Sequence, residues 1–176
     1  MSLYYMNPPK EPHHFCVVGL FQQGYRLLIK AAKCLQSPLL LAIRLYWGWN
    51  FFLTGKAKLM DHSKFTALFQ GWHVPCPSMN VYLAGSTECF GGLLLLLGLG
   101  SRLISMPLIF TMVVAYLTAE SDAAKSIFND PDKFVSAAPF LFMLAALIVL
   151  AFGPGVFSLD WLIEKKISQK NNTTLA

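Results

Sequence analysis

Two ionisable residues stand inside apolar runs of this sequence, and any chemistry it carries is expected around them. Arg44 interrupts LLLAIRLYWGWNFFL, and Glu88 lies just ahead of FGGLLLLLGLG. A charge at the middle of a hydrocarbon layer costs about 2.5–3.5 kcal/mol on insertion scales, so such residues face a bundle interior, pair, and mark functional sites. Measured from run ends at Pro38 and Gly98, Arg44 lies about 10 Å deep and Glu88 about 15 Å deep at the helical rise. An extended arginine bridges that difference, so an Arg44–Glu88 contact is expected. Trp47, Gly48 and Phe51 share the helical face of Arg44, and Ala84, Gly85, Gly91 and Gly92 share that of Glu88. Small residues let helix backbones approach closely in lipid. Together these residues outline an aromatic, charged pocket.

Two chemistries suit such a pocket. Arg44 would hold a polar head group, such as a quinone carbonyl, by a charge-assisted hydrogen bond, while Trp47 and Phe51 stack on the ring. Glu88 would exchange a proton. Glu88 and Arg44 are thus the candidate catalytic residues, and Arg44, Trp47, Phe51 and Glu88 the candidate ligand-binding ones. A buried ion pair that only fixes bundle register accounts for the same two charges.

Composition says which elements must position them. Of 176 residues, 55% are hydrophobic and 13% charged, with mean hydropathy +0.51. Soluble domains carry about 25% charged residues. A disordered chain is excluded and a lipid-facing surface is implied. The net charge of +5 comes from basic residues in the connections between apolar runs, not from a stripe with stacking aromatics. No nucleic-acid partner is expected.

Four spanning segments are read: Pro38 to Leu53, Val81 to Leu99, Leu103 to Ala119 and Phe134 to Phe157. A core of about 30 Å needs about 20 helical residues. Before them, Met1 to Pro12 reads as a polar, flexible tail with no signal peptide. Residues 14–36 place Val17, Leu20, Phe21, Leu28, Ala32 and Leu35 on one side and Gln22, Arg26, Lys30 and Lys33 on the other. That pattern reads as an amphipathic helix lying on an anionic leaflet. The fold class is all-α: a polytopic membrane four-helix bundle preceded by an N-terminal amphipathic interfacial helix. The divisions are residues 1–36, tail and interfacial helix; 37–162, the four-helix domain; and 163–176, a basic tail. Lys10, Arg26, Lys30, Lys33, Arg102, Lys165, Lys166 and Lys170 lie on the side of the termini, against Lys56, Lys58, Lys64, Lys125 and Lys133 on the other. That bias places both termini in the cytoplasm, where the sequons at Asn171 and Asn172 would stay unused.

The remaining candidates read as structural. Glu120, with Lys56 or Lys58, would form an interfacial ion pair. Arg102 and Asp160 would pair and tie the second connection to the end of the fourth span. The Gly153-Pro154-Gly155 cluster ends that span, and Ser158 or Asp160 caps the next segment. Asn129-Asp130-Pro131 is a turn. His13 and His14 are solvated tail residues, and His73 packs in its loop. No metal site is expected, since His62 with an acid on another segment is too sparse a ligand set. The cysteines Cys16, Cys34, Cys76 and Cys89 form no CxxC pair and read as apolar fillers, with Cys76 set apart in a water-facing loop.

Taken in order, several pieces resemble the DoxX family of small four-helix membrane proteins. They are Arg44 with Gly48, Phe51 and Gly55-Lys56; Gly71 with Val74-Pro75; Glu88 with Gly91-Gly92; Leu97-Gly98-Leu99 with Arg102; and Gly153-Pro154-Gly155 with Ser158-Leu159-Asp160. They cover residues 38–162. The resemblance implies a bundle in the cytoplasmic (inner) membrane, associated with redox work as a small subunit or accessory component of a membrane oxidoreductase system. A quinone-like carrier would bind non-covalently. Neither CxxCH nor GxGxxG after a strand occurs, so electrons would come from a partner protein. Partners are thus the bilayer and a redox complex or a second copy of the chain. Any enzymatic activity would be that of a quinone-linked oxidoreductase subunit. The alternative is a membrane assembly factor or chaperone without catalytic activity, docking clients on the small-residue stripe. A transporter is the third reading, with Pro107 and Pro139 as kinks.

Overall fold

A computed structural model describes the backbone of residues 13–174 and the side chains of residues 23–169. Every described element is a helix: α1 (His13–Met60), α2 (His62–Gly71), α3 (Pro77–Leu97), α4 (Ser101–Thr118), α5 (Ser121–Lys125), α6 (Pro131–Ser136), α7 (Ala138–Phe152) and α8 (Leu159–Thr174). The chain forms two compact units, divided between Gln36 and Ser37. The tail Met1 to Pro12, the side chains of His13, His14, Cys16, Val17, Leu20, Phe21 and Gln22, and those of Lys170, Asn171 and Asn172 lie outside the described residues.

The first departure from the sequence reading is the length of α1. The expected interfacial helix and first span are one helix of 48 residues that runs through Pro38 without a break. Proline removes one backbone donor and crowds the carbonyl four residues earlier. The apolar and helix-favouring residues on both sides of Pro38 carry the helix past it. The same helix continues beyond the expected end at Leu53 to Met60. The long first connection is therefore mostly helical, with α2 filling much of the rest.

Within the second unit, one stripe of α1 is buried: Leu40, Arg44, Gly48, Phe51 and Gly55. Their spacing of three or four residues is the helical repeat on one face. This stripe meets α3 nearly backbone to backbone. A Cβ added at Gly48 would lie 2.9 Å from Leu96 N and 3.0 Å from Gly92 O. One at Gly92 would lie 2.5 Å from Phe52 N and 2.7 Å from Gly48 O. Gly55 meets Cys89 and Gly85 in the same way. The two helices are antiparallel neighbours whose separation only glycine permits.

The core draws on four helices. Phe51 of α1, Leu95 of α3, Leu108 and Met112 of α4, and Ala146 and Val149 of α7 form one buried cluster. A second cluster holds Tyr116, Ala123 and Ala137. The turn from α3 to α4 is tight because Gly98 adopts φ +72° and Gly100 φ +58°. The Gly98 amide donates to Leu95 O and the Leu99 amide to Leu94 O, which satisfies the last carbonyls of α3.

Among the described residues, two helices, α3 and α4, are long and apolar enough to cross a membrane. They match the second and third expected spans, and α4 is unbroken at Pro107. The fourth expected span, Phe134 to Phe157, is instead divided. Helix α6 ends at Ser136, Ala137 is extended (φ −64°, ψ 136°), and α7 starts at Ala138 with Pro139 in its first turn. Proline there cannot donate back to Val135, so the helix restarts. The freed Phe134 carbonyl accepts a 2.8 Å hydrogen bond from the Tyr116 hydroxyl. Asp130 caps α6 by accepting from the Lys133 amide, with Pro131 next in the chain, so the expected turn is in place.

The glycine seam yields a direct test. A Gly92→Ala substitution places its methyl against backbone atoms that cannot rotate away, and overpacking of this kind costs about 1–3 kcal/mol. Gly24→Ala meets nothing within 4 Å. Thermal unfolding in detergent, followed by circular dichroism, should show a lowered midpoint for Gly92→Ala and none for Gly24→Ala. Equal midpoints would mean that the seam does not hold the two helices together.

Candidate functional site

The seam sets which charges meet. Gly48 lies across from Gly92 and Leu96, and Gly55 across from Gly85 and Cys89. Extending this antiparallel register past Gly55 sets Lys58 beside Gly85, whose added Cβ would lie 3.2 Å from Lys58 Cβ, and the long lysine side chain reaches about one turn along α3 to Glu88. The Lys58 ammonium forms an ion pair with Glu88 Oε2. The Glu88 side chain is 2% exposed and that of Lys58 18%. The expected Arg44–Glu88 contact is therefore not made. Arg44 is fully buried at the other end of the seam, where Nη2 donates to the Phe157 carbonyl. A Cβ at Gly98 would overlap Arg44 Nη1. Gly98 is the end of α3, and Glu88 lies about 15 Å away along the helix. The misplacement has a simple cause. Counting depth from Pro38 treats the span as beginning there, but α1 passes through Pro38 and Arg44 lies level with Gly98, at the end of α3.

Asp160 is also partnered differently from the expectation. Its carboxylate accepts from the amides of Gly100 (2.7 Å) and Ser101 (3.0 Å), at the N-terminus of α4. Free amides at a helix start attract an anion. The Asp160 amide in turn donates to Gly98 O at 3.0 Å. Among the described residues, no Arg102–Asp160 ion pair forms. Arg102 instead lies beside Gly153, whose added Cβ would be 3.2 Å from its Nη2. Asp160 does lie close enough for its charge to act on Arg44. Ser158 caps α8 by accepting from the Trp161 amide at 3.1 Å, as the sequence suggested. Arg44, Gly98, Phe157, Ser158 and Asp160 thus form one polar knot that closes an end of the helix packing. Two Arg44 nitrogens, Nε and Nη1, and Ser101 Oγ have no hydrogen-bond partner.

The ion pair at the other end lines a cavity of about 510 Å³. Ligand pockets commonly fall between about 300 and 1,000 Å³ and combine apolar walls with few polar groups. Here Phe65, Phe69, Trp72, Phe110 and Phe142 supply aromatic walls, and Lys58, Glu88 and Glu120 supply the charge. Helix α2 contributes Phe65 and Phe69 at the four-residue spacing of one face. Of the ligand-binding residues expected from sequence, Glu88 lines this cavity and Arg44, Trp47 and Phe51 do not. Trp47 and Phe51 stand behind its wall. Both pack edge-on against Phe142, with ring centroids 4.9 and 4.7 Å away. They position the wall and do not form it.

Lys58 is the residue that sequence reasoning missed, having assigned it to an interfacial pair with Glu120. The signal was present: the stripe Arg44, Gly48, Phe51, Gly55 continues at the next helical step to Lys58. His62 stacks on Tyr82 at 4.0 Å, with Nε2 3.2 Å from Ser78 O. Among the described residues, no three His, Cys, Asp or Glu side chains gather as metal ligands. Cys76 is exposed, with φ +44°, just ahead of α3.

This geometry can be set beside known proteins. A model of the DoxX family matches residues 39–121, which include Arg44, Lys58, Glu88 and the whole glycine seam. Over these residues the chain is similar to the DoxX family. The family match and the apolar helices make the chain a membrane protein. The DoxX segment holds the α1, α3 and α4 walls of the cavity, whereas Phe142 and the Gly153–Asp160 pieces lie beyond the match. A relative from Haemophilus influenzae, described as an uncharacterized protein, is 25% identical over 136 residues, or 75% of this chain and 87% of its own. No solved structure matches.

The buried pair predicts an asymmetric mutational pattern. Removing one partner strands a buried charge, at about 3–5 kcal/mol, whereas removing both is close to neutral. Lys58→Met alone should lower the unfolding midpoint strongly. Lys58→Met with Glu88→Gln should recover most of that loss. A double variant no more stable than the single one would show that the two charges are not coupled.

Proposed function

We propose that α1, α3, α4 and α7 span the cytoplasmic membrane as a four-helix bundle with both termini in the cytoplasm, and that the chain is a small subunit of a membrane oxidoreductase system. In this reading the cavity holds the head group of a quinone-like carrier. The observation that carries it is a buried Lys58–Glu88 pair set in aromatic, apolar walls. A quinone ring is planar and apolar with two carbonyl oxygens, which suits those surroundings. The pair leaves spare capacity, because an ammonium has three donors and a carboxylate about four acceptor sites. Lys58 donates to a ring carbonyl, and Glu88 accepts from a ring hydroxyl of the reduced form. Electrons come from a partner protein. Arg44 is a structural residue here, fixing the end of the bundle away from the cavity.

The same reading covers the first unit. Arg26, Lys30 and Lys33 fall at i, i+4 and i+7, and Leu28 and Leu35 lie on the opposite side of the helix. All five are exposed. That face suits anionic lipid head groups.

The test is retention of quinone. Full-length protein, purified in mild detergent from a quinone-containing membrane, should carry quinone on solvent extraction. The Lys58→Met, Glu88→Gln double variant should carry much less at unchanged helix content. Equal quinone in both would overturn the site. A co-purifying membrane protein with no quinone in either would favour the assembly-factor reading.

A further inference from the structure

The cavity has a mouth in the outer surface of the helices. Next to their connecting turn, α3 and α4 are in close contact: a Cβ on Gly91 would lie 2.9 Å from Leu108 Cδ2 and 3.3 Å from Ile104 Cγ1. Further from the turn they flank the cavity, with Leu83, Ala84 and Thr87 on α3 and Phe110, Thr111 and Val114 on α4. Leu83 is 56% exposed and Phe110 69% exposed, yet both line the cavity. A side chain that does both stands at a rim. These rim residues are apolar and sit on the two helices long enough to cross a membrane, so the mouth faces hydrocarbon and not water. Inward of this rim, Thr87 and Thr111 line the way to Lys58 and Glu88 beside Ala84 and Ala115.

We infer that the ligand enters sideways from the bilayer, between α3 and α4. Its head group lodges at the Lys58–Glu88 pair, and its apolar tail leaves between Leu83 and Phe110. This rests on the proposed quinone-type site and adds a route and a requirement. The occupant is a membrane-dissolved amphiphile whose tail stays in lipid. A head group without a tail forgoes that apolar contact and binds more weakly. Phe65 and Phe69 of α2, with Trp72, line the cavity elsewhere.

A tail-labelling experiment tests the route. Full-length protein in phospholipid nanodiscs is mixed with a benzoquinone whose decyl tail ends in a diazirine. After irradiation the adducts are mapped by mass spectrometry, with and without excess unlabelled decyl-benzoquinone. The expected result is labelling at Leu83, Phe110 or Val114 that the competitor removes. Labelling of Leu103, Met106 and Leu117, exposed on α4 but outside the cavity, should survive competition. Competed labelling confined to Phe65, Phe69 and Trp72 would overturn the lateral route and leave the quinone site standing. No competed labelling anywhere would overturn both.

Discussion

The contact between α1 and α3 is the constraint on which the rest of this structure depends. Glycines on both helices bring backbone against backbone, so neither sliding nor rotation is free. That fixed register decides the partner of every charge nearby. It sets Lys58 beside Gly85, within side-chain reach of Glu88, and leaves Arg44 beside Gly98. A shift of one turn, about 5.4 Å, would strand both cations. The two buried charges thus serve different ends of one seam. One end is a knot of backbone carbonyls, capped amides and Asp160; the other opens into a cavity.

The cavity is a consequence of what happens away from the seam. While α1 and α3 stay in contact as far as Lys58 and Gly85, α3 and α4 pack closely near Gly91 and flank the cavity beyond it. Phe142 comes from α7, held in place by Trp47 and Phe51 behind it. Helix α7 reaches this position because the chain breaks at Ala137 and restarts at Pro139. The stacked pair Tyr116 and Phe134, with ring centroids 4.8 Å apart, braces that break. Aromatic packing and a proline therefore shape the wall that the seam alone would leave open.

Much of this is legible in the sequence. The apolar runs mark α3 and α4 to within four residues at each end, and the Gly98–Arg102 connection implies their antiparallel pairing. The glycine face of Glu88 reads as the tightest stripe, and it is. The family match covers residues 39–121, less than the 38–162 over which the resembling motifs are spread. What fails is depth along α1. Pro38 looks like a helix boundary because proline usually is one. Tertiary packing and neighbouring helix formers override it, and the error moves Arg44 by a whole bundle end. Lys58 is hidden for a related reason: ending the first span at Leu53 puts it in a loop. Partners such as Phe157 O and the amides of Gly100 and Ser101 are backbone atoms, which no pattern of side-chain types reveals.

The Arg44 to Phe157 bond joins residues 113 positions apart. A ribosome feeds the chain in one direction, and domains assemble as their parts emerge. Arg44 is therefore made well before the carbonyl it binds. Throughout synthesis its charge must stay near the aqueous boundary or bear the cost of lipid. Seating of this end of α1 is then a late event, gated by arrival of the segment from Phe157 to Asp160. A chain truncated before that segment would leave the arginine with no berth.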